Sequence, residues 1–382
     1  MLVIALVATL FANVFINGTA FLIPTLHSER GLDFAQAGLM VAMPSLGMVV
    51  TLLAWGYVVD RIGERFVLAA GSALTAAAAL GAASVDSLPA VAAFLFLGGM
   101  AAASSNTASA RVVVGWFPPH QRGLVMGIRQ TAQPLGVALG ALVIPQLAES
   151  RGVSAALLFP AAVCALAAVI TAVGVLDPPR PPRAEAHHTE LANPYRRSST
   201  LWRIHVVSVL LVIPQSLVWT FTLVWLMADR GWSAASAGAI VTVAQIFGAA
   251  GRIAAGRWSD IVGSRLGPVR IIAFAAGVSM GLLALTDHLG SSWAIAIMMV
   301  ASTVTVSDNG LAFTAIAEIA GPFWSGRALG MQNTAQLFTS GVVPPAFGAL
   351  IGVAGFPVAF AVCALFPLLA MPLVPVDEDP LR

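Results

Sequence analysis

Five ionisable side chains lie inside the long apolar runs of this 382-residue chain: Arg111, Arg129, Arg252, Asp308 and Glu318. A charge among apolar residues is costly, so each must be paired, hydrogen-bonded or put to use. Two chemistries suit these side chains. Arg129 and Arg252 each carry a planar, permanently charged fork, of the kind that can hold an anion through paired hydrogen bonds. Asp308 can carry a proton, because surroundings of low dielectric favour the neutral form of a carboxylic acid. Each reading has a structural counterpart. Both arginines can serve as ion-pair partners, and Asp308 can be a buried acid satisfied by an arginine or a hydroxyl.

Position sharpens these readings. Asp308 sits 17 residues after Ser291 and 13 before Gly321, near the middle of its run. Ser302, Thr305, Asp308 and Asn309 recur at three- and four-residue spacing, which places them on one helical face as a polar stripe along a cavity. Arg111 lies five residues, about 7.5 Å along a helix, before Trp116 and is expected to pair with Asp60. Glu318 comes just before Gly321-Pro322, within reach of Arg257 or Arg265, and serves either structure or proton coupling. Neutral polar residues complete the candidates for a path: Asn13, Asn17 and Thr19; Gln215, Trp219, Thr222 and Trp225; Gln332, Asn333 and Gln336. These are ligand contacts or polar glue between helices.

The elements that must hold these residues follow from composition. Charged residues make up 9% of the chain and apolar ones 58%, with a mean hydropathy of +0.89. Soluble domains carry about 25% charged residues, so much of this surface must face lipid. Splitting at charged and Gly/Pro-rich breaks gives twelve candidate spans, near 3–26, 35–58, 66–84, 88–115, 123–147 and 153–176, then 203–227, 235–257, 268–287, 291–318, 327–351 and 354–375. Each meets the requirement of about 20 apolar residues. The run from Met1 has no basic segment before it and is expected to be a first span, not a cleaved signal. Residues 177–202 are Pro- and Arg-rich and form a linker between bundles 1–176 and 203–376, with a tail at 377–382.

Orientation follows from the arginines, since the chain has no Lys. One side holds Arg61, Arg65, Arg122, Arg180, Arg183, Arg196, Arg197, Arg203, Arg257, Arg265, Arg270, Arg327 and Arg382; the other holds Arg30, Arg151 and Arg230. Thirteen against three puts both termini in the cytoplasm of a bacterial inner-membrane protein. The six histidines lie at span ends and loops without metal-ligand spacing, and a chain without Lys has no phosphate-binding Gly-Lys-Ser/Thr loop. An enzyme, a bound metal or cofactor and a nucleic-acid partner are not expected. Cys164 and Cys363 read as packing residues. The partners expected are a small-molecule substrate, protons and the bilayer, with the chain a monomer.

The sequence also repeats. Gly56-Tyr-Val-Val-Asp60-Arg61-Ile-Gly63-Glu-Arg65 returns as Gly256-Arg-Trp-Ser-Asp260-Ile-Val-Gly263-Ser-Arg265 at a constant shift of 200, each time between the second and third spans of its half. A fainter echo links Arg122-Gly-Leu-Val-Met126 and Gln130-Thr-Ala-Gln133 to Arg327-Ala-Leu-Gly-Met331 and Asn333-Thr-Ala-Gln336. The Gly-x-x-x-Asp-Arg-x-Gly-x-Arg loop resembles the signature of the major facilitator superfamily, and the resemblance covers the whole chain. It implies an all-α membrane protein of two six-helix bundles rocking about a central cavity.

In that family Asp60 and Asp260 would cap a helix of the opposite half and hold the cytoplasmic side closed. Gly56 and Gly256 would permit close helix packing, Gly63 and Gly263 the turn, and Arg65 and Arg265 would anchor to headgroups or acids. The fifth and eighth spans would be neighbours, bringing Arg129 near Arg252. The stretch Gly251-Arg252-Ile-Ala-Ala-Gly256-Arg257 is similar to that of monocarboxylate and oxalate carriers, where the arginine contacts a carboxylate, though the eleventh span here lacks their second basic residue. The resemblance implies a proton-coupled secondary transporter of a small organic solute, an organic anion or monocarboxylate. Multidrug or antibiotic efflux is the rival, weakened because the early fourth span, Ala92 to Gly99, has no arginine. A non-transporting membrane sensor is a remote third reading.

Overall fold

Backbone N–H and C=O groups in hydrocarbon must find partners within their own segment, so apolar runs of this length become helices. A computed structural model shows this outcome, and it describes residues 1–23, 25, 26, 34–179 and 188–381. No strand occurs among the described residues. The helices in chain order are α1 (Leu2–Gly18), α2 (Phe34–Ile62), α3 (Glu64–Ala83), α4 (Leu88–Trp116), α5 (Pro119–Gln130), α6 (Ala132–Gly174), α7 (Thr200–Val224), α8 (Ala234–Val262), α9 (Leu266–His288), α10 (Trp293–Val304), α11 (Asn309–Ala320) and α12 (Ser325–Ala370). Two short helices, His188–Leu191 and Pro194–Arg197, lie in the expected linker. Arg30, Arg180, Arg183, Arg382, His27 and His187 fall outside the described residues.

Ten helical segments are long and apolar enough to cross a membrane. Pro119–Gly174 runs for 56 residues and Ser325–Leu373 for 49, each more than twice the roughly 20 residues that one crossing needs. Both fold back at a glycine with positive φ, Gly152 (φ 80, ψ 174) and Gly355 (φ 80, ψ 173). Ten segments therefore supply twelve crossings in an all-α membrane fold.

The tenth span differs from the continuous helix expected over 291–318. It breaks between α10 and α11, where residues 305–308 form turns. The cause is legible in Ser302-Thr-Val-Thr-Val-Ser-Asp308-Asn. The hydroxyls of Ser302, Thr303, Thr305 and Ser307 each donate to the carbonyl four residues back, at 2.7–3.0 Å. Such back-bonding competes with the backbone ladder and bends helices. The one-face stripe from Ser302 to Asn309 is accordingly interrupted at Asp308.

The chain packs as two compact units. The first comprises Met1–Trp116, Thr131–Ala192 and Gly321–Thr334, the second Phe117–Gln130, Asn193–Ala320 and Ala335–Arg382. The short segments 117–130 and 321–334 thus each pack with the unit built mainly from the other sequence repeat. The first unit's core includes Ala8, Val67, Leu68 and Val112. In the second, Trp225, Met280, Met298 and Phe360 are buried together. Within the second unit the linker's end is held by aromatics: Tyr195 Oη lies 2.8 Å from His205 Nε2 and its ring packs on Trp202. Burial pushes the Tyr195 phenol above its ordinary pKa.

Candidate functional site

The repeated loop builds the same device twice, once in each unit. In the first unit α2 ends at Ile62, Gly63 turns the chain with φ 115, and α3 starts at Glu64. The last turns of α2 hold Asp60 beside the N-terminus of α12. Its Oδ1 accepts from the Gly326 N–H at 2.8 Å, and its Oδ2 from the N–H and Nε of Arg327 at 3.1 and 2.9 Å. The first N–H groups of a helix have no partner inside it and carry the positive end of its dipole, so a carboxylate caps them well. Arg111 completes the device from α4. It donates to Asp60, to Glu64 Oε1 at 2.8 Å and to the Pro322 carbonyl at 3.0 Å.

In the second unit Asp260 accepts from the N–H groups of Gly123 and Leu124 of α5, at 3.0 and 2.8 Å. Arg265 donates to Asp260 at 2.6 Å, to Glu318 at 3.2 Å and to the Pro119 carbonyl. Arg122 donates to the other oxygen of Glu318 at 3.2 Å. Glycines let the backbones meet. A Cβ on Gly56 would come within 2.4 Å of the Gly326 carbonyl oxygen, and one on Gly256 within 2.1 Å of that of Gly123. Asp60 and Gly56 correspond to Asp260 and Gly256 at a shift of 200, while Gly123 and Pro119 correspond to Gly326 and Pro322 at 203. The Arg122–Arg327 pairing read from sequence, at a shift of 205, is not the register these contacts use.

The other loop residues divide. Arg61 stacks 5.0 Å from the Tyr57 ring. Arg65 is exposed; its N–H bonds Asp177 at 2.8 Å and its Nε the Ala172 carbonyl at 2.7 Å. Arg265, its counterpart by sequence, turns inward to the ion pairs instead. Gly263 ends α8 in the left-handed region at φ 60. Glu318 lies among these ion pairs with Arg265 and Arg122; no contact with Arg257 occurs among the described residues.

Among the described residues, Arg252 and Asp308 join neither ion-pair device, and Arg129 lies beside them. They lie in the second unit where α5, α8 and the broken tenth span cross at glycines. Gly127 meets the Arg252 carbonyl, where a Cβ would come within 2.5 Å; Gly251 meets Ser307 and Thr303; Gly310 meets Gly127. Arg252 and Asp308 are 4% and 1% exposed. Arg252 Nη1 donates to the Gln130 carbonyl at 3.1 Å, and each charge acts on the other. Among the described residues, Arg252 Nε and Asp308 Oδ2 are buried with no hydrogen-bond partner.

Arg252 also lines a narrow recess, of water size, between α7, α8 and the tenth span. Gln215 and Trp219 line it from α7, and Ser302 and Thr305 from the tenth span. Asn309 joins the spans behind it, donating to Gln215 at 2.9 Å and accepting from Gln336 at 3.1 Å. Arg129 is not among the lining residues. It packs with its guanidinium 6.0 Å from the Phe313 ring and its Nε 3.3 Å from Met126 Sδ. Of the remaining candidates, Asn17 donates to Asn13 at 3.0 Å and Asn333 to the Leu329 carbonyl at 2.8 Å, both in the first unit.

Several contacts are not announced by spacing. Glu64, directly after Gly63, is a second acid on Arg111. Asp177 and Asp379 both cap the loop after the repeated motif, Asp379 by accepting from Arg265 and Leu266 N–H at 3.1 and 2.7 Å. Their signal was present, because each is followed by Pro and they stand 202 positions apart. At the far end of α7, Asp287 accepts from Trp225 Nε1 at 2.9 Å and pairs with Arg230.

A family profile described as "Major Facilitator Superfamily" matches residues 4–344. An uncharacterised MFS-type transporter of Mycobacterium tuberculosis is 58% identical over 375 residues, covering 98% of this chain and 84% of that protein. A gallate transporter of Pseudomonas putida is 26% identical, covering 97% and 88%. Among solved structures, the human organic anion transporter MFSD10 superposes with a TM-score of 0.78 at 18% identity, covering 98% of both chains.

Proposed function

The chain belongs to the Major Facilitator Superfamily, and from that premise we propose that it carries a small organic anion across the bacterial cytoplasmic membrane together with protons, both termini lying on the cytoplasmic side. Arg252 carries this reading. The ion pairs that bind α12 to α2 and α5 to α8 are complete without it, yet its guanidinium is buried at the wall of a recess and its Nε has no partner. A permanently charged fork in that position is suited to a carboxylate. The equivalent backbone contact in the first unit places Leu52 against Gly330, where a Cβ would come within 2.6 Å of the Leu52 carbonyl. The packing therefore does not call for an arginine. Several distant relatives carry anions by name, including the gallate transporter, which agrees with this reading.

Asp308 supplies the proton step. Deprotonated, it compensates Arg252 and competes with a bound anion. Protonated, it leaves the arginine's charge to the substrate, so proton and anion load together. The excess of arginine on one side, thirteen against three, supports the orientation. Proteoliposomes facing a more acidic outside should accumulate labelled monocarboxylates, and Arg252→Gln should remove that accumulation. Uptake of neutral solutes with no movement of any acid is the result that sinks the anion reading.

A further inference from the structure

Resting on the reading that Asp308 carries a proton, we infer that the recess of the second unit is a proton inlet to Asp308, with hydrogen-bonded water as its ligand in place of a substrate's body. Its size suits nothing larger. The usable space, about 30 Å³, takes two or three water molecules at roughly 10–15 Å³ each. Gln215, Thr222, Gln245, Arg252, Ser302 and Thr305 line it beside the apolar residues. The site is therefore polar as well as small, as a retained water requires.

The polarity of the lining favours water over an ion. The hydroxyls of Thr222, Ser302 and Thr305 donate to the carbonyls of Val218, Met298 and Ala301, at 2.6, 2.8 and 2.8 Å. A carbonyl oxygen only accepts, so each hydroxyl has committed its one proton and offers lone pairs alone. Arg252 offers only donors, and its Nε is buried without a partner among the described residues. A ligand here must accept from the guanidinium and donate to the hydroxyls. Water does both, whereas a carboxylate has no proton to give. An anion reaches Arg252 by displacing this water, and those hydroxyls must turn before they can donate to it.

The recess also has a direction. On α8 its lining runs from Val241 to Arg252 and on α7 from Gln215 to Thr222, so it extends from Arg252 toward the segment 225–233 that joins these helices. Asp260 and its ion pairs lie beyond Arg252 along α8, on the other side. Thr305, on the wall, stands three residues before Asp308, where the tenth span breaks. Asp308 Oδ2 is buried with no partner among the described residues, an acceptor that water can satisfy. Arg252 of α8 is the charge that acts on Asp308, and Arg129 of α5 packs against Phe313. Gln215 of α7 and Gln336 of α12 are neutral; the charges of α9 lie near its ends, Arg270 exposed and Asp287 paired with Arg230. An excess proton relayed along the waters ends on Asp308 as a carboxylic acid. Each water releases one proton as it takes another, so nothing else is consumed.

The test is infrared spectroscopy of the purified protein in lipid nanodiscs, following the carboxylic acid band of Asp308, identified by its loss in Asp308→Asn. In the parent protein the band should appear as the medium is acidified and should shift within the mixing time on transfer to heavy water. Thr305→Val, which replaces the hydroxyl with a methyl, should slow that exchange about tenfold, the worth of one hydrogen bond. Thr303→Val should not. Its hydroxyl bonds back to the Met299 carbonyl in the same way, at 3.0 Å, but Thr303 does not line the recess. Where Thr305→Val melts well below the parent, Thr222→Val makes the same measurement from α7. A parent band that resists heavy water overturns the inlet while the proton reading stands, as does exchange equally fast in the Thr305, Thr222 and Thr303 variants. Absence of any acid band that Asp308→Asn removes overturns the proton step itself.

Discussion

Asp60 Oδ1 accepts the backbone N–H of Gly326 at 2.8 Å, across 266 positions of sequence. One carboxylate of α2 thereby holds the start of α12, and Asp260 does the same for α5 137 positions away at Gly123. The segment that each carboxylate grips comes from the other repeat.

Removing the charge of either cap should weaken the structure measurably. Asp60→Asn retains an oxygen for one N–H but leaves Arg111 and Arg327 without their shared acid. Loss of one partner from a buried ion pair costs about 3–5 kcal/mol, so the variant should melt well below the parent protein. A double-mutant cycle between Asp60 and Arg111 should return a coupling of about 1–3 kcal/mol. Additive effects would show that the two residues act separately.

Close backbone approach makes a second test. Gly56→Ala and Gly256→Ala place a Cβ far inside van der Waals contact with a carbonyl oxygen, at 2.4 and 2.1 Å, so the helices must separate. Gly281, inside α9, has nothing within 4 Å of a Cβ, and Ala there should stabilise the helix by up to about 1 kcal/mol. Transport and melting temperature should fall for the first two substitutions and hold for Gly281→Ala. Equal tolerance at all three positions would remove the packing argument.

What the sequence displayed and what it hid follow from the same physics. Apolar length and the Asp-Gly-Arg echo made the spans and the two loops visible, because hydrocarbon thickness and a turn at Gly63 leave few alternatives. The direction of a side chain is not written in spacing. Arg65 and Arg265 share a motif position, yet one lies along the surface against Ala172 and the other enters the ion pairs with Asp260 and Glu318. The break at 305–308 was hidden for another reason. Hydropathy counts hydroxyl residues as tolerable in a span, whereas four of them within six positions bonding backward loosen the helix.

The C-terminal tail yields a prediction in pH. Burial pushes the Asp379 carboxyl upward from its ordinary pKa of 3.8, but hydrogen bonds from Ser264 Oγ and from the N–H groups of Leu266, Arg265 and Leu381 outweigh it, so the net shift is downward. A folded-state pKa below the unfolded one contributes stability above the unfolded value, which is lost as pH falls through the folded value. The melting-temperature gap between the parent protein and Asp379→Asn should be level from about pH 5 to 8 and close below about pH 4. A gap that widens toward acid would show the opposite sign.

Arg252 and Asp308 allow the structural and transport roles to be separated. If they serve only to neutralise each other, each single change leaves a buried charge without compensation at a cost of about 3–5 kcal/mol. The pair Arg252→Gln with Asp308→Asn should then regain most of that stability, since both charges have gone. Transport should not be regained. Asp308→Asn has no proton to release, so accumulation driven by a pH gradient should disappear. Exchange of labelled for unlabelled anion needs no net proton movement and should continue, because Arg252 still binds the anion. Arg252→Gln should abolish both modes for anions, and Arg252→Lys should restore exchange only in part, since a point charge lacks the planar fork. Gradient-driven uptake that survives Asp308→Asn would place the proton carrier elsewhere and leave Asp308 as the partner that keeps Arg252 buried.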